Sequence, residues 1–85
     1  MSTVEVEGTT FIVDDGIVCE FGTARKYDPK TGRGYQMTGH EEPVSLLAYE
    51  GFGSDLVRAR EYADAWCALA QRAYDKAMTG GTDEH

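Results

Sequence analysis

The chain predicts an α+β fold: an antiparallel sheet of about four strands, arranged as two hairpins, packed on one long C-terminal helix, with a short helix or loop bridging them. Three observations carry this. Residues 54–78, SDLVRAREYADAWCALAQRAYDKAM, repeat their apolar positions at helical spacing. Residues 3–7 and 17–21 alternate apolar and polar side chains, and Thr10–Val13 between them is rich in β-branched and aromatic residues, with glycine breakers on either side. Asp28-Pro29-Lys30-Thr31-Gly32-Arg33 has the residue order of a tight hairpin loop.

Around the helix, Leu56, Ala59, Tyr62, Ala63, Trp66, Cys67, Leu69, Ala70, Ala73, Tyr74 and Ala77 fall on one face, and charged residues fill the other. The centre of the face is lined by alanines around Trp66, so the layer covering it can come close to the backbone and must bring its own bulk. Ser54 is the expected N-cap, and Thr79-Gly80-Gly81 the expected end.

In the N-terminal half, Val4 and Val6 alternate with Glu5 and Glu7, and Gly8 breaks the run. Thr10 to Val13 makes a second strand. Asp14-Asp15-Gly16 closes a hairpin onto Ile17–Phe21, which places Ile17, Cys19 and Phe21 on one face and Val18 and Glu20 on the other. Gly22 marks a bend. If Asp28 pairs with Arg33, then Lys26 lies opposite Tyr35 and Arg25 opposite Gln36. Ala24, Tyr35 and Met37 are assigned to the core side, and Arg25, Tyr27 and Gln36 to the outer face. Gly32 and Gly34 read as turn residues, since neither the spacing nor the context of a phosphate loop is present.

After Gly39, His40-Glu41-Glu42-Pro43 interrupts the strands. Pro43 suits the first turn of a short helix over Pro43–Glu50, with a buried strand over Val44–Tyr49 as the competitor. The expected core is Val4, Val6, Phe11, Val13, Ile17, Cys19, Phe21, Ala24, Tyr35 and Met37, closed at one end by Leu46, Leu47 and Phe52. Residues 1–79 make one domain, and 80–85 a polar tail.

The chain has 85 residues, 15 acids against 8 bases, and a formal charge of −7. That balance disfavours general nucleic-acid binding, which needs a basic surface. No leader or membrane-length apolar run is present, so the expected location is cytoplasmic, with no membrane partner. Cys19 and Cys67 then read as free packing thiols, a sheet-to-helix disulfide being the alternative. His40 beside Glu41 and Glu42 lacks the converging ligands that a metal or acid–base group needs. The sequence therefore implies no enzyme, no catalytic residue, no metal and no cofactor.

Charge is uneven along the chain. Residues 1–22 hold five acids and no base, while 23–40 hold Arg25, Lys26, Lys30 and Arg33 against Asp28. The first functional expectation is a non-enzymatic protein-binding module, monomeric or homodimeric, whose acidic surface docks a basic, nucleic-acid-handling site on a larger protein or complex. Its candidate residues are Glu5, Glu7, Asp14, Asp15, Glu20, Glu41, Glu42 and Glu50. In size and charge alone such a chain resembles inhibitors made by phages and mobile elements against bacterial defence complexes, anti-CRISPR proteins among them. The second expectation is a nucleic-acid-contacting accessory protein using hairpin 23–38, with Arg25, Lys26, Lys30 and Arg33 on phosphates and Tyr27 available for stacking. A plain solvated hairpin edge is the bland reading of the same residues.

Overall fold

The computed structural model describes residues 1–37, 41–43, 53 and 55–80. The chain is α+β as expected, but its antiparallel sheet has six strands in one continuous meander, not about four in two hairpins, with one C-terminal helix. The strands are β1 (Ser2–Val6), β2 (Thr9–Asp14), β3 (Ile17–Glu20), β4 (Arg25–Asp28), β5 (Arg33–Met37) and β6 (Glu41–Pro43), and the helix is α1 (Leu56–Gly80). Their spatial order is β1-β2-β3-β4-β5-β6, so every strand pairs with its neighbours in the chain.

Two of the turns are two-residue connections. Glu7-Gly8 has φ of 49° and 84°, and Asp15-Gly16 has 54° and 78°, the left-handed pair that matches the twist of the strands on either side. The second of these corrects the expected face of β3. A loop over 14–16 would oppose Val13 to Ile17, whereas Asp14 stays in the ladder opposite Ile17, and Val13 meets Val18. A shift of one residue exchanges the two faces of a strand. Val18 is therefore fully buried, while Ile17 and Cys19 are half-buried and Phe21 is exposed, not core residues as expected.

The β4–β5 register is the expected one, with Asp28 opposite Arg33, Lys26 opposite Tyr35 and Arg25 opposite Gln36. Asp28 organises the loop: its carbonyl accepts from Gly32 N–H at 2.8 Å and its carboxylate from Lys30 N–H at 2.9 Å. The faces, however, are inverted here too. Val18 pairs with Tyr27, so the buried face passes from β3 to Tyr27 and then to Gly34. Tyr27 is buried under the helix, Ala24 and Tyr35 are half-buried on the other side, and Met37 is exposed.

Glu41–Pro43 pairs with β5 as a sixth strand, so Pro43 ends a strand where it was expected to start a helix. As β6 is three residues long and at the edge of the sheet, proline costs no interior ladder bond there. The reading of Val44–Glu50, together with Leu46, Leu47 and Phe52, lies outside the described residues.

The helix begins at Leu56, and its cap is Asp55, whose carboxylate accepts from Arg58 N–H at 3.1 Å. Ser54 lies outside the described residues. Ala63, Trp66, Ala70, Ala73 and Ala77 pack on Val4, Val6, Phe11, Val13, Val18 and Tyr27 in one cluster. The alanine-and-tryptophan face is thus the floor for the sheet, as its composition implied. Phe11 and Tyr27 set their rings 6.2 and 6.5 Å from that of Trp66 in tilted and edge-on contacts, the preferred geometry for aromatic pairs.

Gly34 is a packing residue, not a turn residue. A Cβ built on it would stand 2.8 Å from Cys67 Sγ and 3.1 Å from the Trp66 ring, so only glycine lets the helix settle this closely on β5.

Candidate functional site

The helix covers one face of the sheet, no element among the described residues covers the other, and the pairing registers fix which side chains lie on that open face. Directly opposed residues share a face, so Thr3, Ile12, Cys19, Lys26, Tyr35 and Pro43 form one row running across all six strands. Ile17 stands on one side of this row and Met37 on the other. The centre of the open face is accordingly apolar, with Lys26 set among aliphatic and aromatic neighbours. At one end Ile12, Asp14, Ile17, Cys19 and Lys26 line a shallow depression of about 220 Å³.

Charges ring this centre. Glu5 and Asp14 are exposed on the open face at β1 and β2, and Glu41 on β6. Arg33 donates to Glu41 at 2.8 Å while its guanidinium lies 5.3 Å from the Tyr35 ring centroid, closing the β6 side of the patch. An apolar middle with a polar rim is the anatomy of a protein–protein contact surface.

The expected acidic residues therefore separate into groups. Glu5, Asp14 and Glu41 share the open face. Glu7 and Asp15 sit in the two tight turns, Glu7 paired with Arg72 of the helix. Glu20 turns to the helix, where its carboxylate accepts from Trp66 Nε1 at 2.7 Å and satisfies the indole N–H at the margin of the core. Glu42, half-buried and opposite Gln36, has the same helix-side parity. Glu50 lies outside the described residues.

The basic hairpin separates likewise. Arg25 donates to Tyr62 Oη at 2.5 Å and to Gln36 Oε1 at 3.3 Å, and lies over the Tyr62 ring. Tyr27 donates its hydroxyl proton to Gln71 Oε1 at 2.7 Å. These two expected outward residues are thus bound to the helix, which leaves Lys26 and Arg33 on the open face and Lys30 at the loop tip. Tyr27 is not available for stacking on a base.

Among the described residues, two groups have displaced titrations. Burial pushes the Tyr27 phenol up, helped by Cys67, Asp75 and Asp28 nearby. Burial also pushes the Cys67 thiol up, the Asp64 carboxylate adding to it against a hydrogen bond with Gly34. A raised thiol pKa lowers the thiolate fraction at neutral pH, which suits a packing cysteine and not a nucleophile. Cys19 lies on the open face and Cys67 beneath the helix, so the sheet separates them and both are free thiols. Among the described residues no three His, Cys, Asp or Glu side chains converge to hold a metal ion, and no helix is long and apolar enough to cross a membrane. His40 and His85 lie outside the described residues.

The open face differs from the expected surface because the β3 frame in the structure is shifted by one residue. The signal that could have found it is the dipeptide Asp15-Gly16, which by itself makes a two-residue hairpin turn. No family model, curated protein or solved structure matches the chain.

Proposed function

We propose that this chain is a small non-enzymatic protein-binding module that docks a partner on the open face of its sheet. The carrying observation is the largely apolar row Ile12, Cys19, Lys26, Tyr35 and Pro43, flanked by Ile17 and Met37, on the face that no element among the described residues covers. Burying such a surface supplies the affinity, at roughly 25 cal/mol per Å² of apolar area before the costs of association. Glu5, Asp14 and Glu41 at its margins and the net charge of −7 favour a partner with a basic docking site and speed its approach. A nucleic-acid-handling site on a larger bacterial complex has that character. Inhibitors of the anti-CRISPR kind, similar in size and charge, act on such sites.

The test uses immobilised protein to capture partners from bacterial lysate. An Ile17→Asp/Met37→Asp variant and a Glu5→Lys/Asp14→Lys/Glu41→Lys variant run beside the wild type. Both should lose the specific partner while keeping the wild-type melting temperature, because all five side chains point away from the core. Capture of the same partner by both variants at wild-type yield would rule the open face out.

A further inference from the structure

The outer edge of β1 carries a second feature, made by backbone groups and a groove on the helix side, although the Thr3 and Glu5 side chains belong to the open face. Along an antiparallel strand, each residue points its N–H and C=O to the same side, and successive residues alternate sides. Thr10 accepts from Phe21 N–H at 2.9 Å on the β3 side, so its opposite number on β1, Glu5, turns its own backbone groups away from β2. Lys76 agrees with this phase: its Nζ reaches the outward Glu5 carbonyl at 3.2 Å. By the same alternation Thr3 also faces outward. Among the described residues, no backbone group pairs with Thr3 or Glu5 from that side.

The two edges of the sheet differ. β6 is short and ends in Pro43, which has no N–H to offer. β1 has five residues and neither proline nor lysine. Beside it a groove of about 510 Å³ runs between residues 5–7 and a stripe of the helix formed by Arg72, Asp75, Lys76 and Thr79. Arg72 meets Glu7, and Lys76, four residues later, meets Glu5. Four helix residues rise about 6 Å and two strand residues span about 7 Å, so helix and strand run antiparallel and in step along the groove.

We propose that this groove takes an extended, basic segment of a partner protein, added to β1 as a seventh strand. Its main chain bonds the outward N–H and C=O groups of Thr3 and Glu5, and one of its N–H groups takes the Glu5 carbonyl over from Lys76. Charge selects the occupant. Arg72 is already matched by Glu7, which leaves the carboxylates of Glu5 and Asp75 against Lys76 along the groove, and the whole chain stands at −7. A second copy would bring the same negative charge to the edge, which opposes self-pairing.

The test is a titration of the full chain, at low ionic strength, with two blocked hexapeptides that alternate lysine with valine or glutamate with valine. Amide hydrogen exchange is read by NMR. The lysine peptide should bind and protect the Thr3 and Glu5 amides, the glutamate peptide binding at least about tenfold more weakly. Glu5→Pro removes an outward N–H without touching the β1–β2 ladder, and should weaken the lysine peptide by about tenfold or more at an unchanged melting temperature. Thr3→Pro acts at the other outward N–H and serves if the first variant does not fold. Lys76→Ala frees the carbonyl and removes a like charge, so it should tighten binding. The proposal fails if the lysine peptide does not bind, if it protects other amides, or if the two peptides bind equally. It also fails if sedimentation shows a wild-type dimer that Glu5→Pro makes monomeric, since the edge would then belong to a second copy. The Ile17→Asp/Met37→Asp variant should bind the lysine peptide normally, which separates this edge from the open face.

Discussion

Replacing Gly34 with alanine tests how closely the helix is seated on the sheet. The added Cβ would stand 2.8 Å from Cys67 Sγ and 3.1 and 3.3 Å from two Trp66 ring carbons, and Trp66 is held by Phe11, Tyr27 and Glu20. Two effects of opposite sign compete. Alanine restricts the unfolded chain and so stabilises by about 0.4–1 kcal/mol, while overpacking a filled core costs about 1–3 kcal/mol. The contact below 3 Å decides the sign, and the expected net loss is about 1–2 kcal/mol. In a domain of this size that lowers the melting temperature by about 5–15 °C, readable by circular dichroism or calorimetry. Cys67→Ala removes the closest atom, so Gly34→Ala should cost about 0.5–1.5 kcal/mol less in that background. A Gly34→Ala protein as stable as wild type, or an equal cost in both backgrounds, would refute the close seating of helix on β5.

The remaining predictions address the frame, the polar links and the pH response. Val18→Ala should destabilise by about 1.5–3 kcal/mol in urea unfolding, whereas Ile17→Thr should stay within about 0.5 kcal/mol; the reverse order would restore the other β3 frame. Glu20→Ala and Tyr27→Phe each break one bond to the helix and should each cost about 1 kcal/mol. The Cys67 thiol and Tyr27 phenol titrate higher in the folded chain than their ordinary values of 9.0 and 10.0. Above those values the unfolded chain holds fewer protons than the folded one, so stability is fully present below about pH 9 and falls as pH rises further. Cys67→Ala should remove the earlier part of that alkaline decline and Tyr27→Phe the later part, as seen in the urea midpoint against pH.

Much of the fold could be read from residues because the governing patterns are local. The helix follows from its alanine spacing around Trp66, and the β4–β5 register from the Asp28–Arg33 loop. The observed faces of β3, β4 and β5 are the reverse of those the sequence predicts, for a shared reason. Parity propagates from strand to strand, and a single choice at Asp14-Asp15-Gly16 determines whether Ile17 or Val18 lies inward. Counting Asp14 as loop, not ladder, exposes Tyr27 and buries Tyr35 on paper. Gly34 carried a warning, since a glycine inside a strand and opposite a tyrosine marks close approach. β6 was harder to see, because Glu41-Glu42-Pro43 has poor strand propensity and is held by pairing with β5. The candidate surface changes with the frame: an exterior expected to be purely charged carries an apolar centre.

The placement of the thiols on opposite sides of the sheet makes Cys19 a built-in reporter. Cys67, pressed against Gly34 with its thiol pKa raised, should alkylate slowly as long as the helix stays docked. Cys19 sits in the central row of the exposed surface next to Lys26. Brief treatment of the unaltered protein with iodoacetamide should therefore mark one cysteine first. Shielding of that cysteine reads occupancy of the surface, and labelling of the other reads detachment of the helix, with no engineered probe.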